Sequence, residues 1–206
     1  MTAGWLPLVL LDAVVAASFA RCFTGPSELW LLVPVCVGAH LLGQLARQVG
    51  ARRWPFLAGA LWVVAVLLVA WVPVLALDWS SVAAGLPVGH GATVLGHQMS
   101  QAWAVFSSDV APVPAMPGLV MAASWACGAM ALAAEALDAD AGLPAVVSLI
   151  PAFDVVLFTG TLGTAVGRPV ELAALGALGV WYLAAVAGAG AGRRQHVVLA
   201  RVEASG

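Results

Sequence analysis

Lysine is absent from this chain, and charge of either sign is scarce. Eight arginines and ten acidic residues leave 9% of the 206 residues charged, where a soluble domain carries about 25%. At a net charge of −2, nucleic-acid binding has no support. Four histidines, none spaced i and i+4, and three cysteines give no metal-ligand pattern, and no cofactor is expected. Neither a phosphate-binding glycine loop, a dinucleotide fingerprint nor a nucleophile elbow occurs, so nothing marks a nucleotide-driven or hydrolytic enzyme.

What the chain has instead is apolar surface. Hydrophobic residues make up 63% of it and the mean hydropathy is +1.01. No soluble core of this size needs so much, so the chain reads as an all-α integral membrane protein. A crossing takes about 20 apolar residues. That length predicts a single helical membrane domain over residues 1–206, with spans near 5–22, 28–47, 54–77, 118–136, 143–166 and 170–190. Unbroken apolar runs favour helices over a barrel, because a helix satisfies its own backbone in lipid. Small residues in the later spans, such as Gly160, Gly163, Gly176 and Gly179, permit close helix packing.

The long interval 78–117 divides the spans into two halves and contains no basic residue. Within it, Leu95, Met99, Ala102, Trp103 and Phe106 recur at helical spacing, while His97, Gln98, Ser100, Gln101 and Ser107 take the other side. The pattern predicts an amphipathic helix lying at the membrane interface, with Thr93 as its N-cap. Pro112, Pro114 and Pro117 then hold the chain extended before it re-enters the membrane. This loop is the expected partner surface, through Leu95, Met99, Trp103, Phe106, Pro112 and Pro114. The face meets lipid, the bundle or another membrane or envelope protein.

Orientation follows from arginine placement. Arg47, Arg52 and Arg53 precede the third span, and Arg193, Arg194 and Arg201 follow the sixth. Putting these on the cytoplasmic side makes both termini cytoplasmic and leaves Arg21, Arg168 and the loop outside. A short connection around Asp138 and Asp140 joins the fourth and fifth spans. The uncharged n-region and Asp12 argue against a signal peptide.

Three ionisable residues fall mid-span: Asp12, His40 and Asp154. A charge at a helix centre costs roughly 2.5–3.5 kcal/mol on insertion scales, so each carboxyl is expected to face the bundle interior or be protonated. The first two spans are antiparallel neighbours, which brings Asp12 and His40 to similar depth. They form either a buried pair joining two helices or part of a proton relay. Asp154 has no partner that the sequence identifies. Cys36 and Cys127 read as packing residues, and Cys22 sits beside Arg21, whose charge favours a thiolate.

Several segments resemble, in order along the chain, the N-terminal membrane domain of bacterial transglutaminase-like membrane proteins. They are Arg21-Cys22-Phe23-Thr24-Gly25, His40-Leu41-Leu42, Gly85-Leu86-Pro87, Gln101-Ala102-Trp103 with Val105-Phe106, the run Val110 to Gly118, and Leu157-Phe158 with Leu162-Gly163. The resemblance implies a bacterial cell membrane, a role in the cell envelope, and a helical module that precedes an extracytoplasmic catalytic domain. That domain's Cys–His–Asp triad has no counterpart among these residues, so no catalytic residue carries over. Two functions are therefore expected. One is a non-catalytic anchor or interaction module. The alternative is a small transporter or proton-relay subunit using Asp12, His40 and Asp154.

Overall fold

The computed structural model describes residues 5–24, 29–51, 54–77, 90–108, 111–139, 145–162 and 168–203, with side chains of the last helix described to Gly188. Seven helices follow one another: α1 (Trp5–Ser18), α2 (Leu29–Ala51), α3 (Pro55–Leu77), α4 (His90–Ser108), α5 (Pro117–Ala139), α6 (Ile150–Leu162) and α7 (Arg168–Glu203). A 3-10 turn, Phe19–Arg21, closes α1, and another, Ala145–Leu149, leads into α6. Four helices contain segments long and apolar enough to cross a membrane: Trp30–Ala51, Pro55–Leu77, Pro117–Asp138 and Arg168–Gly188. The first and fifth predicted spans fold instead as shorter apolar helices of 14 and 13 residues. At 1.5 Å per residue each is about 20 Å long, against about 30 Å of hydrocarbon.

α2 and α5 form the middle of the bundle. α2 packs on α1, α3 and α5, and α5 also meets α1, α3, α4 and α6; α7 lies against α1 and the turn before α6. The buried stripes follow the helical period. In α1 they are Leu8, Leu11, Asp12, Val15 and Ala16; in α5 they are Val120, Ala123, Cys127, Ala131 and Ala134. Gly128 lets α5 come close to both α2 and α3: a Cβ there would sit 2.6 Å from Val69 and 3.2 Å from Val35. α3 turns much of its circumference outward, with Phe56, Val63, Val64, Val66 and Leu67 exposed, as a lipid-facing helix does.

Several predicted boundaries move: α2 runs to Ala51, past the predicted 47, and α5 to Ala139, past the predicted 136. α4 begins at His90, so Thr93 lies within its first turn and is not its N-cap. α7 continues past the predicted end at 190 as far as Glu203. The predicted loop residues 78–89, including Gly85-Leu86-Pro87, lie outside the described residues, as do Arg52, Arg53, Asp140 and Gly163.

Candidate functional site

Seven polar residues of the bundle converge toward one end of it. His40 has its Nδ1 3.0 Å from Asp12 Oδ2 on α1 and its Nε2 3.0 Å from Glu135 Oε1 on α5. Glu135 Oε2 meets Arg47 Nε at 2.6 Å. Arg47 Nη1 donates to Asp138 Oδ2, and the Tyr182 hydroxyl of α7 donates to Asp138 Oδ1. Ser148 Oγ, in the turn before α6, lies 2.9 Å from that hydroxyl. Seven side chains from α1, α2, α5, α7 and the turn thus form one connected chain. Asp12, His40 and Glu135 are 0–1% exposed, whereas Arg47 and Asp138 keep 18% and 16% of their side chains accessible.

Helix geometry builds this chain. His40 and Arg47 are seven residues apart, two turns of α2, and so share a face. Glu135 and Asp138 are three apart, one turn of α5. The α1–α2 antiparallel pairing sets Asp12 beside His40 as the sequence predicts. Charge compensation then holds the group together. A buried ion pair that loses one partner strands the other, and only a complete set of contacts repays desolvation. The two carboxylates flank opposite sides of the imidazole. Among the described residues no group of three His, Cys, Asp or Glu is arranged for a metal.

Asp154 is not part of the chain. On α6 the buried positions are Ala152, Val156 and Thr159, spaced by four and three. Asp154 is two residues from Ala152, a rotation of about 200°, and is exposed on the outer side of the helix. Of the two expectations for it, an interior position or a protonated carboxyl, the structure corrects the first, and with it the grouping of Asp154 with Asp12 and His40 in one relay. Sequence reasoning missed Glu135, Arg47, Asp138 and Tyr182 as partners. Arginine placement makes Arg47 a topology marker and hydropathy puts Asp138 in a connection, whereas α5 runs through Asp138 to Ala139. The signal was the same-face spacing of His40 with Arg47 and of Glu135 with Asp138.

At the opposite end of the bundle the packing around α4 is apolar. α4 packs on α5, with Ala102 buried against Gly118. A Cβ on Gly118 would lie 2.5 Å from the Gln98 carbonyl oxygen, so only glycine allows this approach. Val113 is buried and pairs with Phe23 in a parallel bridge: Thr24 N–H donates to Val113 O at 3.0 Å and Val113 N–H to Cys22 O at 2.9 Å. Pro112 and Pro114, on either side, are exposed. Between α4, α5, α6 and the α1 turn is an apolar cavity of about 310 Å³, bounded by Phe19, Met99, Trp103, Phe106 and Phe158 among others. The Phe106 and Phe158 rings stack at 6.1 Å, and Trp103 meets Phe106 at 5.8 Å. Leu95 and Met99 are half-buried, while Trp103 is 69% exposed.

Cys22 also borders this cavity. Arg21 is engaged elsewhere, 2.7 Å from Glu171 on α7, and its apolar surroundings offer the thiol little to favour the thiolate. Cys36 and Cys127 are fully buried, with Cys36 Sγ 3.4 Å from the Cys127 carbonyl oxygen. Nearby, Ser18 and Thr159 hydroxyls, 3.0 Å apart, join α1 to α6. No family model, curated protein or solved structure matches this chain.

Proposed function

We propose that this protein is a non-catalytic membrane module that anchors and positions an envelope protein or complex through its α4 face. One observation carries the reading. α4 and the proline segment are fastened to the bundle at Gly118, Val113 and Phe106, yet Trp103 is left 69% exposed. A large aromatic held on a fixed support is the usual form of an interface anchor, because little side-chain or backbone freedom remains to be lost on binding. The likeness to the membrane domain of transglutaminase-like proteins points the same way.

In this reading the chain crosses the bacterial cell membrane six times. Trp5–Arg21 and Ala145–Leu162 make short crossings, each helix extended by its 3-10 turn. α4 lies at the outer interface and both termini are cytoplasmic. The Arg47–Asp138 end then faces the cytoplasm and the α4 end faces outward. Ion pairing of Arg21 with Glu171 fits an outward position for an arginine that departs from the positive-inside pattern.

The test is a photo-crosslinking residue placed at position 103 in cells, with position 56 on the exposed face of α3 as the control. Discrete protein adducts at 103 and lipid adducts alone at 56 are expected. Lipid adducts alone at both positions would leave α4 as a passive lid. Phosphatase fusions near Gly91 and after Gly206 test orientation: activity is expected at the first and not at the second.

A further inference from the structure

The contacts of His40 fix a proton count. Its two ring nitrogens each lie 3.0 Å from a carboxylate oxygen. A neutral imidazole has one N–H and one lone pair. If both Asp12 and Glu135 were ionised, one contact would therefore set a nitrogen lone pair against a carboxylate oxygen. The three side chains are 0–1% exposed, so no bulk water relieves that clash.

One added proton removes it. The imidazole becomes a cation donating to both carboxylates, or a neutral imidazole donates to Glu135 while the Asp12 carboxyl donates to Nδ1. The two forms contain the same protons and differ only in where one sits along the Asp12–His40 contact. Asp12 Oδ1 is buried and has no hydrogen-bond donor among the described residues, which suits a neutral carboxyl better than a carboxylate. Glu135 has its counter-charge in Arg47.

We propose that Asp12, His40 and Glu135 form a proton-binding site that holds one proton at neutral pH, is loaded from the Arg47 end, and does not conduct. Arg47 sets the last property. Its guanidinium stays protonated, so a proton cannot hop through it from Glu135 to Asp138. Its side chain is 18% accessible and contacts the fully buried Glu135, so its displacement opens a way for water to reach that carboxylate. In the other direction the site is blind. The next side chains along α1 and α2 are Val15, Ala16, Val35 and Cys36, all buried, and the Cys36 thiol faces the Asp12 backbone carbonyl, not its carboxyl.

The surroundings of the site complete its electrostatics. α2 adds Gln44 on the His40–Arg47 face and the Cys36 thiol below Asp12. α5 adds the Cys127 thiol and Asp138. α7 and the turn before α6 add the Tyr182 and Ser148 hydroxyls. α3 brings no ionisable side chain among Pro55–Leu77. This inference does not depend on what α4 meets.

The experiment uses the full chain in lipid nanodiscs, labelled with 15N-histidine, with His40→Gln to assign the resonance and infrared spectra to count protonated carboxyls. At pH 7 the wild type is expected to give one of two results. Either His40 is an imidazolium, or it is a neutral ring beside a protonated-carboxyl band that is lost in Asp12→Asn. A neutral ring with no such band overturns the site. Arg47→Lys, which keeps the charge but loses the Nε contact, is expected to speed hydrogen–deuterium exchange of that proton. An unchanged rate in both Arg47→Lys and Arg47→Gln overturns Arg47 as the stopper.

Discussion

The two ends of the bundle are held by different forces. At the Arg47 end, five ionisable groups and two hydroxyls link α1, α2, α5, α7 and the turn before α6. At the Arg21 end a single ion pair joins the α1 turn to α7, and α4 and the proline segment lie on shape: a glycine approach, a two-hydrogen-bond bridge and stacked rings around an apolar cavity. In lipid this division has a physical basis. Apolar contacts between helices gain little from water exclusion, because the lipid is as apolar as they are, so close packing and polar contacts hold helices together. The charged end therefore fixes which helices associate. The apolar end is free to leave a cavity and an exposed tryptophan.

That contrast is broken most severely at Glu135. Glu135→Ala removes the carboxylate shared by His40 and Arg47 and leaves both without it. A loss of about 3–5 kcal/mol is expected, as for other buried pairs stripped of one partner. Thermal unfolding in detergent measures it, and a shift no larger than that of a surface substitution would mean the chain of contacts is not holding the bundle.

At the apolar end, Gly118→Val forces a side chain into the Gln98 backbone, and an overpacking cost of about 1–3 kcal/mol is expected. The loss is local: α4 amides should exchange faster while those of α2 and α5 at the charged end keep their protection. Uniform loss of protection would join the two ends into one cooperative unit. Trp103→Glu comes next and separates binding from stability. Its partner contact should weaken by about 2 kcal/mol or more, while the protein still inserts. Unchanged crosslinking yields at a neighbouring α4 position in that variant would remove Trp103 from the interface.

Asp154→Asn has the smallest expected effect on unfolding in detergent, within about 0.5 kcal/mol, because its side chain is exposed and no charged partner faces it among the described residues. It also marks where the sequence stopped being legible. Apolar runs reveal where helices are, since their length and composition survive any rotation about the axis. They do not reveal the face. Asp154 reads as mid-span, but its side of α6 is set by Ala152, Val156 and Thr159 meeting neighbours that only the fold supplies. The Asp12–His40 pairing was readable because consecutive spans are antiparallel and depth alone matched the two residues. Glu135 and Asp138 come from a helix nearly a hundred residues away in sequence from His40 and Arg47. Their polarity resembled a helix end, so hydropathy assigned them to a boundary. On α4 the apolar period was legible, but its splitting between a buried Ala102 and an exposed Trp103 was not, because Gly118 decides which side docks.

The central claim is that the charged end acts as one connected unit. A double-mutant cycle between Asp12→Asn and Glu135→Gln tests it directly, since each of these side chains contacts His40 from its own side. With unfolding measured in detergent, the account predicts non-additivity of about 0.5–3 kcal/mol. Additivity within about 0.3–0.5 kcal/mol would make them two independent contacts that happen to share a histidine.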